Sequence, residues 1–272
     1  MSQLSPTTAA DGHGSDAPSD STYRAIGIAA AVAFSAVTAL FLGAAVLQVD
    51  PSLLVEVIYP QFVNAFLIVL GIFVVSAFTS LVGGVLVGLG RVSNTRITYG
   101  VSTVYVEFFR GTPLLFQLVM VYFGIPELWP GAFPPDWKYP AAVLALTLNH
   151  SAYIGEAVRG GIDAVPDGQM EAARSLGMGY VQSMREVVLP QAWRNALAAI
   201  GNDLVIVIKD TSLLTFIAVP ELIDAFRSIY SATFDAWTPI IIVAVAYLAL
   251  TVPLGALVRY MERRATPGGG HE

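Results

Sequence analysis

The chain has 272 residues, of which 55% are apolar and only 12% charged. Soluble domains carry about 25% charged residues, so this composition excludes an ordinary soluble enzyme, and it equally excludes a disordered chain, which needs the opposite bias. Cysteine is absent, which removes disulfides, thiol nucleophiles and Cys-ligated zinc, and the net charge of −6 argues against nucleic acid as a partner.

What remains is a polytopic membrane protein. Residues 1–23 are polar, aperiodic and rich in Ser, Thr, Asp, Gly and Pro, and read as a disordered cytoplasmic tail. The apolar run from Ile26 to Val49 is too long for a signal-peptide core, so 24–50 reads as a retained first transmembrane helix. About 20 apolar residues cross the hydrocarbon layer, and that ruler predicts six spans near 26–48, 62–90, 100–125, 140–158, 192–210 and 237–259. Basic residues then set the orientation. With the N-terminus inside, the inner segments and span ends hold Arg24, Arg91, Arg96, Arg159, Arg174, Arg185, Arg194, Arg259, Arg263 and Arg264, whereas the outer loops hold only Lys138 and Arg227. Both termini, including a tail over 263–272, are expected in the cytoplasm. No internal repeat suggests the inverted halves of a secondary transporter.

The longest inner connection, about 160–190, carries the most information. Asp167 after Pro166 is a candidate N-cap, 168–176 favours helix, and Gly177 with Gly179 ends it. A second short helix is expected from Tyr180 to just before Pro190. The first helix is about two turns long and unstable alone in water, so it needs a surface to pack on. Ala172 and Ala173 would let its backbone approach a partner groove; the plainer alternative is a hairpin lying on lipid headgroups. The pattern Glu171-Ala172-Ala173, three residues, Gly177, nine residues, Val187, one residue, Leu189-Pro190 resembles the EAA loop of ABC-transporter permeases, which usually has Ile where Val187 stands.

Further stretches are similar to the polar amino-acid uptake permeases, the histidine, glutamine and arginine importer type: Tyr105-Val-Glu107-Phe-Phe-Arg110-Gly-Thr-Pro113, Ala152-Tyr153-Ile-Gly-Glu156-Ala-Val-Arg159, Pro166-Asp-Gly-Gln169 and Lys209-Asp210-Thr211-Ser212-Leu213. The resemblance covers about 62–262, all spans but the first. It departs at Val63-Asn64-Ala65-Phe66-Leu67, where many relatives place a Gly and a Thr. It implies an all-α type I ABC importer permease fold with a cytoplasmic EAA loop, in the cell membrane. It also implies partners: cytoplasmic ABC ATPase subunits, a substrate-binding protein outside, and a second copy or a related permease completing a dimeric pore. Glu171, Ala172, Ala173, Gly177, Leu189 and Pro190 are then the residues that couple to the ATPase.

Ionisable groups in hydrocarbon face the bundle interior, pair, or line a pathway. Arg110, before the helix-disturbing Gly111-Thr112-Pro113, could bind a carboxylate or could sit at the inner mouth paired with Glu107. Lys209, Asp210, Thr211 and Ser212 offer both charge signs and two hydroxyls to a zwitterion, or else neutralise neighbouring helices. Asp203 reads as a bridge to another helix, Glu156 as a partner of Arg159, and Asn149-His150 as interhelical hydrogen-bonding groups rather than metal ligands. Gly84 and Gly88 have the spacing of close helix packing. No P-loop sequence is present. The chain is therefore not an enzyme by itself, ATP hydrolysis belongs to a partner, and no cofactor or metal is expected. The function read from the sequence is the membrane subunit of an ATP-driven importer of polar amino acids; a secondary transporter or channel for small solutes is the alternative.

Overall fold

In a computed structural model the structure is described for residues 20–265, and these hold helices and no strand. Most of the tail expected over 1–23, and residues 266–272 of the tail expected over 263–272, lie outside the described residues. The chain divides into two compact units, 1–48 and 49–272. In the first unit a single helix, α1 (Asp20–Val46), begins inside the segment expected as tail and presents Ile28, Phe34, Leu40 and Phe41 outward.

The second unit begins with α2 (Pro51–Val57), which Asp50 starts by accepting from the amides of Ser52 and Leu53. After a break at Tyr59, where the backbone is extended, comes α3 (Val63–Arg91). Its buried positions, Ala65, Val69, Ile72, Ser76, Ser80, Gly84 and Gly88, recur every three or four residues and form one face that narrows to small residues from Ser76 onward. Leu67, Val75, Phe78 and Leu86 on the other faces are exposed and equally apolar, the pattern of a helix whose outer side meets lipid rather than water.

The segment expected as one span near 100–125 is not one rod. It is α4 (Arg96–Gly111) followed by α5 (Leu114–Val119), which runs through a π turn at Met120–Gly124 into α6 (Ile125–Leu128). The two arms meet at 105°. Pro113 has no amide proton and disfavours helical backbone in the residue before it, and Thr112 is accordingly extended at φ −116°, ψ 146°.

At the centre lies α7 (Lys138–Asp163), packed against α3, α4, α5 and α10. Gly84 and Gly88 of α3 lie against Ile154, Gly155 and Val158 of α7; a Cβ at Gly88 would stand 2.8 Å from the carbonyl oxygen of Gly155. The expected close packing is therefore present. Then come α8 (Asp167–Ser175), α9 (Tyr180–Ser183), and α10 (Leu189–Asp210), which passes at Thr211–Ile217 into a 3₁₀ turn. The helix expected to stop before Pro190 does not stop. A π turn at Met184–Val188 joins α9 to α10, and Pro190 falls in the first turn of α10, where a missing amide proton costs nothing. Finally α11 (Leu222–Thr233) is capped by buried Glu221, which accepts from the amides of Ile223 at 2.8 Å and Asp224 at 2.9 Å, and α12 (Trp237–Ala265) runs to the end of the described residues.

Three of these helices are long and apolar enough to cross a membrane, four if the bent α4–α5 pair is one span. At 1.5 Å per residue α7 and α10 reach about 39 and 33 Å, and it is apolarity they lack. Several of their polar side chains turn into the bundle instead: His150 toward Asp203, Asn149 toward α4, and Thr147 and Ser151 toward α3.

Candidate functional site

The break between α4 and α5 opens a cavity of about 430 Å³. Arg110, Gly111, Thr112, Pro113 and Leu114 form one wall, Asn149, His150 and Tyr153 of α7 a second, and Asp203, Ile206 and Asp210 of α10 a third. A break in a membrane helix leaves carbonyls without their intrahelical donors, each costly away from water. Buried Gln117 answers this: its Nε2 donates to Phe109 O at 2.9 Å, Thr112 O at 3.1 Å and Thr112 Oγ1 at 2.8 Å. Asn149 Nδ2 donates to Phe109 O at 3.1 Å and to Gln117 Oε1 at 3.0 Å, which ties the break to α7. The opening is thus held by its own amide network. Gln117 escaped the sequence reading; the signal was a lone amide four residues after Pro113 in an apolar run.

The cavity carries both charge signs. Arg110 does not pair with Glu107, as the three-residue spacing suggests. It reaches across to α7, where Nη1 lies 3.2 Å from Glu156 Oε2 and the guanidinium stands 5.4 Å from the centre of the Tyr153 ring. Glu156 collects three guanidiniums from three helices: Arg91 of α3 donates to Oε1 at 3.0 Å, Arg159 of α7 donates to Oε1 and Oε2 at 3.1 Å each, and Arg110 of α4 completes the set. Arg91 also donates to Thr103 Oγ1, and Arg159 to Asp163 Oδ2, both at 2.6 Å. Three guanidiniums face two carboxylates here, so the cluster keeps an excess positive charge.

Opposite lie the carboxylates of α10. His150 Nδ1 is 3.1 Å from both oxygens of Asp203. Its Nε2 is 3.3 Å from Asp210 Oδ2, within ion-pair reach but outside hydrogen-bond geometry. Asp203 does bridge to another helix, and the seven-residue step from Asp203 to Asp210 brings both to one face, almost two helical turns apart.

The other passage candidates go elsewhere. Lys209 lines a separate groove between α10 and α12, with Gly201, Thr251, Gly255 and Glu262. Successive helical residues point about 100° apart, so Lys209 cannot share the Asp210 face. Thr211 is buried, its hydroxyl donating to Ile208 O at 2.6 Å and lying 3.5 Å from Tyr247 Oη. Ser212 is half-buried outside the cavity.

At the other candidate site, α8 begins with Asp167 as its first helical residue and Pro166 at the cap, so Asp167 does not cap it through its side chain. Its end follows the expected form. Gly177 has φ +88°, Met178 N donates to Ala173 O at 3.2 Å and Gly177 N to Arg174 O at 3.0 Å, the paired closure that a left-handed glycine permits. The two alanines divide. Ala173 is buried, and half-buried Met170 packs α8 onto Val165, Val188 and Ala192, whereas Ala172 is exposed beside Glu171 and Leu176. The outward face is therefore Glu171, Ala172 and Leu176. Leu189 and Pro190 line an apolar groove at the start of α10.

Residues 80–267 match the family described as binding-protein-dependent transport system inner membrane component. The chain is 36% identical to the arginine transport system permease protein ArtQ of Bacillus subtilis over 75% of its own length and 92% of that protein. It is also 36% identical to the nopaline transport system permease protein NocM of Agrobacterium fabrum, over 78% and 90% respectively. Among solved structures it is similar to an amino acid ABC transporter crystallised with histidines, at 35% identity and TM-score 0.72, covering 79% of this chain and 99% of that one. The MetNI methionine ABC transporter, at 21% identity and TM-score 0.62, shares the fold over 76% of this chain and 96% of its own.

Proposed function

We propose that this chain, which belongs to the family of binding-protein-dependent transport system inner membrane components, is the membrane-spanning subunit of an ATP-driven importer of polar amino acids. The observation that carries the substrate class is the cavity at the α4–α5 break. A zwitterion needs a cation for its carboxylate and an anion for its ammonium group. Arg110 supplies the first, since a guanidinium can bind a carboxylate with two parallel hydrogen bonds, and Asp210 with Asp203 supplies the second. The named relatives transport arginine and nopaline, both amino-acid compounds, which supports the same reading. Lys209, Thr211 and Ser212 belong to the passage only as its surroundings.

In this reading the chain crosses the membrane six times with both termini in the cytoplasm. A second permease copy or a related permease completes the pore, a binding protein delivers substrate from outside, and ATPase subunits dock on the outward face of α8. Closure of the ATPases pulls on Glu171, Ala172 and Leu176, and Gly177 transmits the movement through α9 to α10, whose Asp203 and Asp210 line the cavity. Alternation between outward- and inward-open states then follows from differential ATPase binding to the two states.

The test is uptake of labelled amino acids by vesicles containing the chain with its ATPase and binding protein. Asp210→Asn is expected to lower uptake of a cationic or zwitterionic amino acid with assembly intact. Normal transport by this variant would remove the cavity from the substrate path.

A further inference from the structure

Where α10 begins, an apolar groove of about 550 Å³ lies between α3, α7 and α10. Its floor is Val85 and Leu89 of α3 with Val158 of α7, and Trp193 stands exposed at its edge. Two arginines, Arg185 and Arg194, line the same groove. Among the described residues neither forms an ion pair, although Arg91, Arg110 and Arg159 are all engaged by Glu156. An apolar slot of this size, with unpaired cations at its rim and an indole beside them, matches the two halves of one molecule: a hydrocarbon chain and a phosphate headgroup. Basic pockets between transmembrane helices on the cytoplasmic side hold anionic lipid headgroups on this principle, and indoles favour the headgroup level.

We infer that this groove is a binding site for an anionic phospholipid of the inner leaflet, with an acyl chain against Val85, Leu89 and Val158 and the phosphate on Arg185 and Arg194. The leaflet rests on the orientation proposed above; the site itself does not depend on what is transported. A lipid seated here touches the π turn that joins α9 to α10, so it braces the segment between α8 and the cavity. The charge complementarity selects the lipid over a protein partner, because the groove floor is wholly hydrocarbon and only its rim is charged.

The full-length chain is reconstituted in phosphatidylcholine vesicles containing a small, equal mole fraction of either brominated phosphatidylglycerol or brominated phosphatidylcholine. Trp193 fluorescence is isolated by subtracting the Trp193→Phe variant. Stronger quenching by the brominated anionic lipid is expected, with an enrichment of about fivefold for each arginine that holds the phosphate. Arg185→Gln with Arg194→Gln should abolish the preference, and the corresponding pair of lysine substitutions should keep it. Equal quenching by the two lipids, or a preference that survives the glutamine pair, overturns the site. So does a Trp193 shielded from both lipids, which would mean that a second copy covers the groove. Labelling of Ser175→Cys reports the orientation separately, so an error in the leaflet and an error in the site give different results.

Discussion

The loop from Val165 to Pro190 and the cavity at the α4–α5 break are built on opposite plans. In the loop, conformation is local: Pro166 starts α8, Gly177 ends it in a left-handed turn, and the closing hydrogen bonds run between residues three to five apart. Its side chains mostly face outward, and α8 is fastened to the rest of the unit by little more than buried Ala173, Met170 and a long Gln169–Gln191 hydrogen bond. In the cavity nearly every contact joins different helices: Gln117 to Phe109, Asn149 to Gln117, His150 to Asp203, Arg110 to Glu156. A loop closed by its own backbone can change its angle without unfolding the bundle. A cavity held by interhelical polar contacts resists deformation until one of those contacts is lost. That division suits a part that receives a push and a part that must keep a binding geometry.

The comparison breaks most readily at Glu156. Glu156→Ala leaves three guanidiniums around an empty position; Arg91 is largely buried but Arg110 and Arg159 are 42% and 35% exposed, so with solvent screening the loss costs about 1.5–3 kcal/mol. Thermal unfolding in detergent should therefore fall clearly for this variant, with Glu156→Gln intermediate; an unchanged midpoint would mean that the cluster is solvated rather than structural. Next in size is Gln117→Leu, which removes the side-chain donor to the Thr112 carbonyl, one of two donors to the Phe109 carbonyl and an acceptor of Asn149, and should cost about 1–3 kcal/mol. The same melting measurement checks it, and uptake should fall with it because the break loses its brace.

Gly177→Val tests the other side. A side chain at positive φ costs roughly 1–2 kcal/mol, but here the cost is confined to the loop. The bundle should melt as before, while substrate-stimulated ATP hydrolysis in reconstituted vesicles should fall. A bundle destabilised as much as by Gln117→Leu would show that loop and core are one cooperative unit. Glu171→Lys sharpens this further, reversing an exposed charge with no effect on melting but with weaker ATPase retention. The smallest effect is expected for Lys209→Gln, which lies in a different groove from Asp210 and should leave uptake close to normal where Asp210→Asn lowers it. Cysteine labelling, unhindered in a chain with no native Cys, should modify Asp136→Cys from outside and leave Ser175→Cys untouched; the reverse pattern would invert the proposed topology.

How much of this was legible from residues alone depended on the distance over which each feature is decided. The apolar helices α1, α3 and α12, the break at Gly111-Thr112-Pro113, the close approach at Gly84 and Gly88 and the turn at Gly177 follow from hydrophobic runs, from proline's missing amide proton and from glycine's missing Cβ. These act within a few residues, so the order along the chain is enough to read them. Local reading went wrong where a neighbour in sequence was taken for a neighbour in space. Glu107 is one helical turn from Arg110, yet the pairing carboxylate is Glu156, on another helix. Ala172 and Ala173 are adjacent, yet one packs inward and the other faces out. Lys209 and Asp210 are adjacent, yet they line different cavities. A rotation of about 100° per residue separates consecutive side chains, and only the packing of helix on helix decides which of them meets a partner. The sequence by itself therefore determined the helices, their breaks and the family resemblance. The tertiary structure decided which charges meet, because that depends on the rotation and depth of each helix against its neighbours.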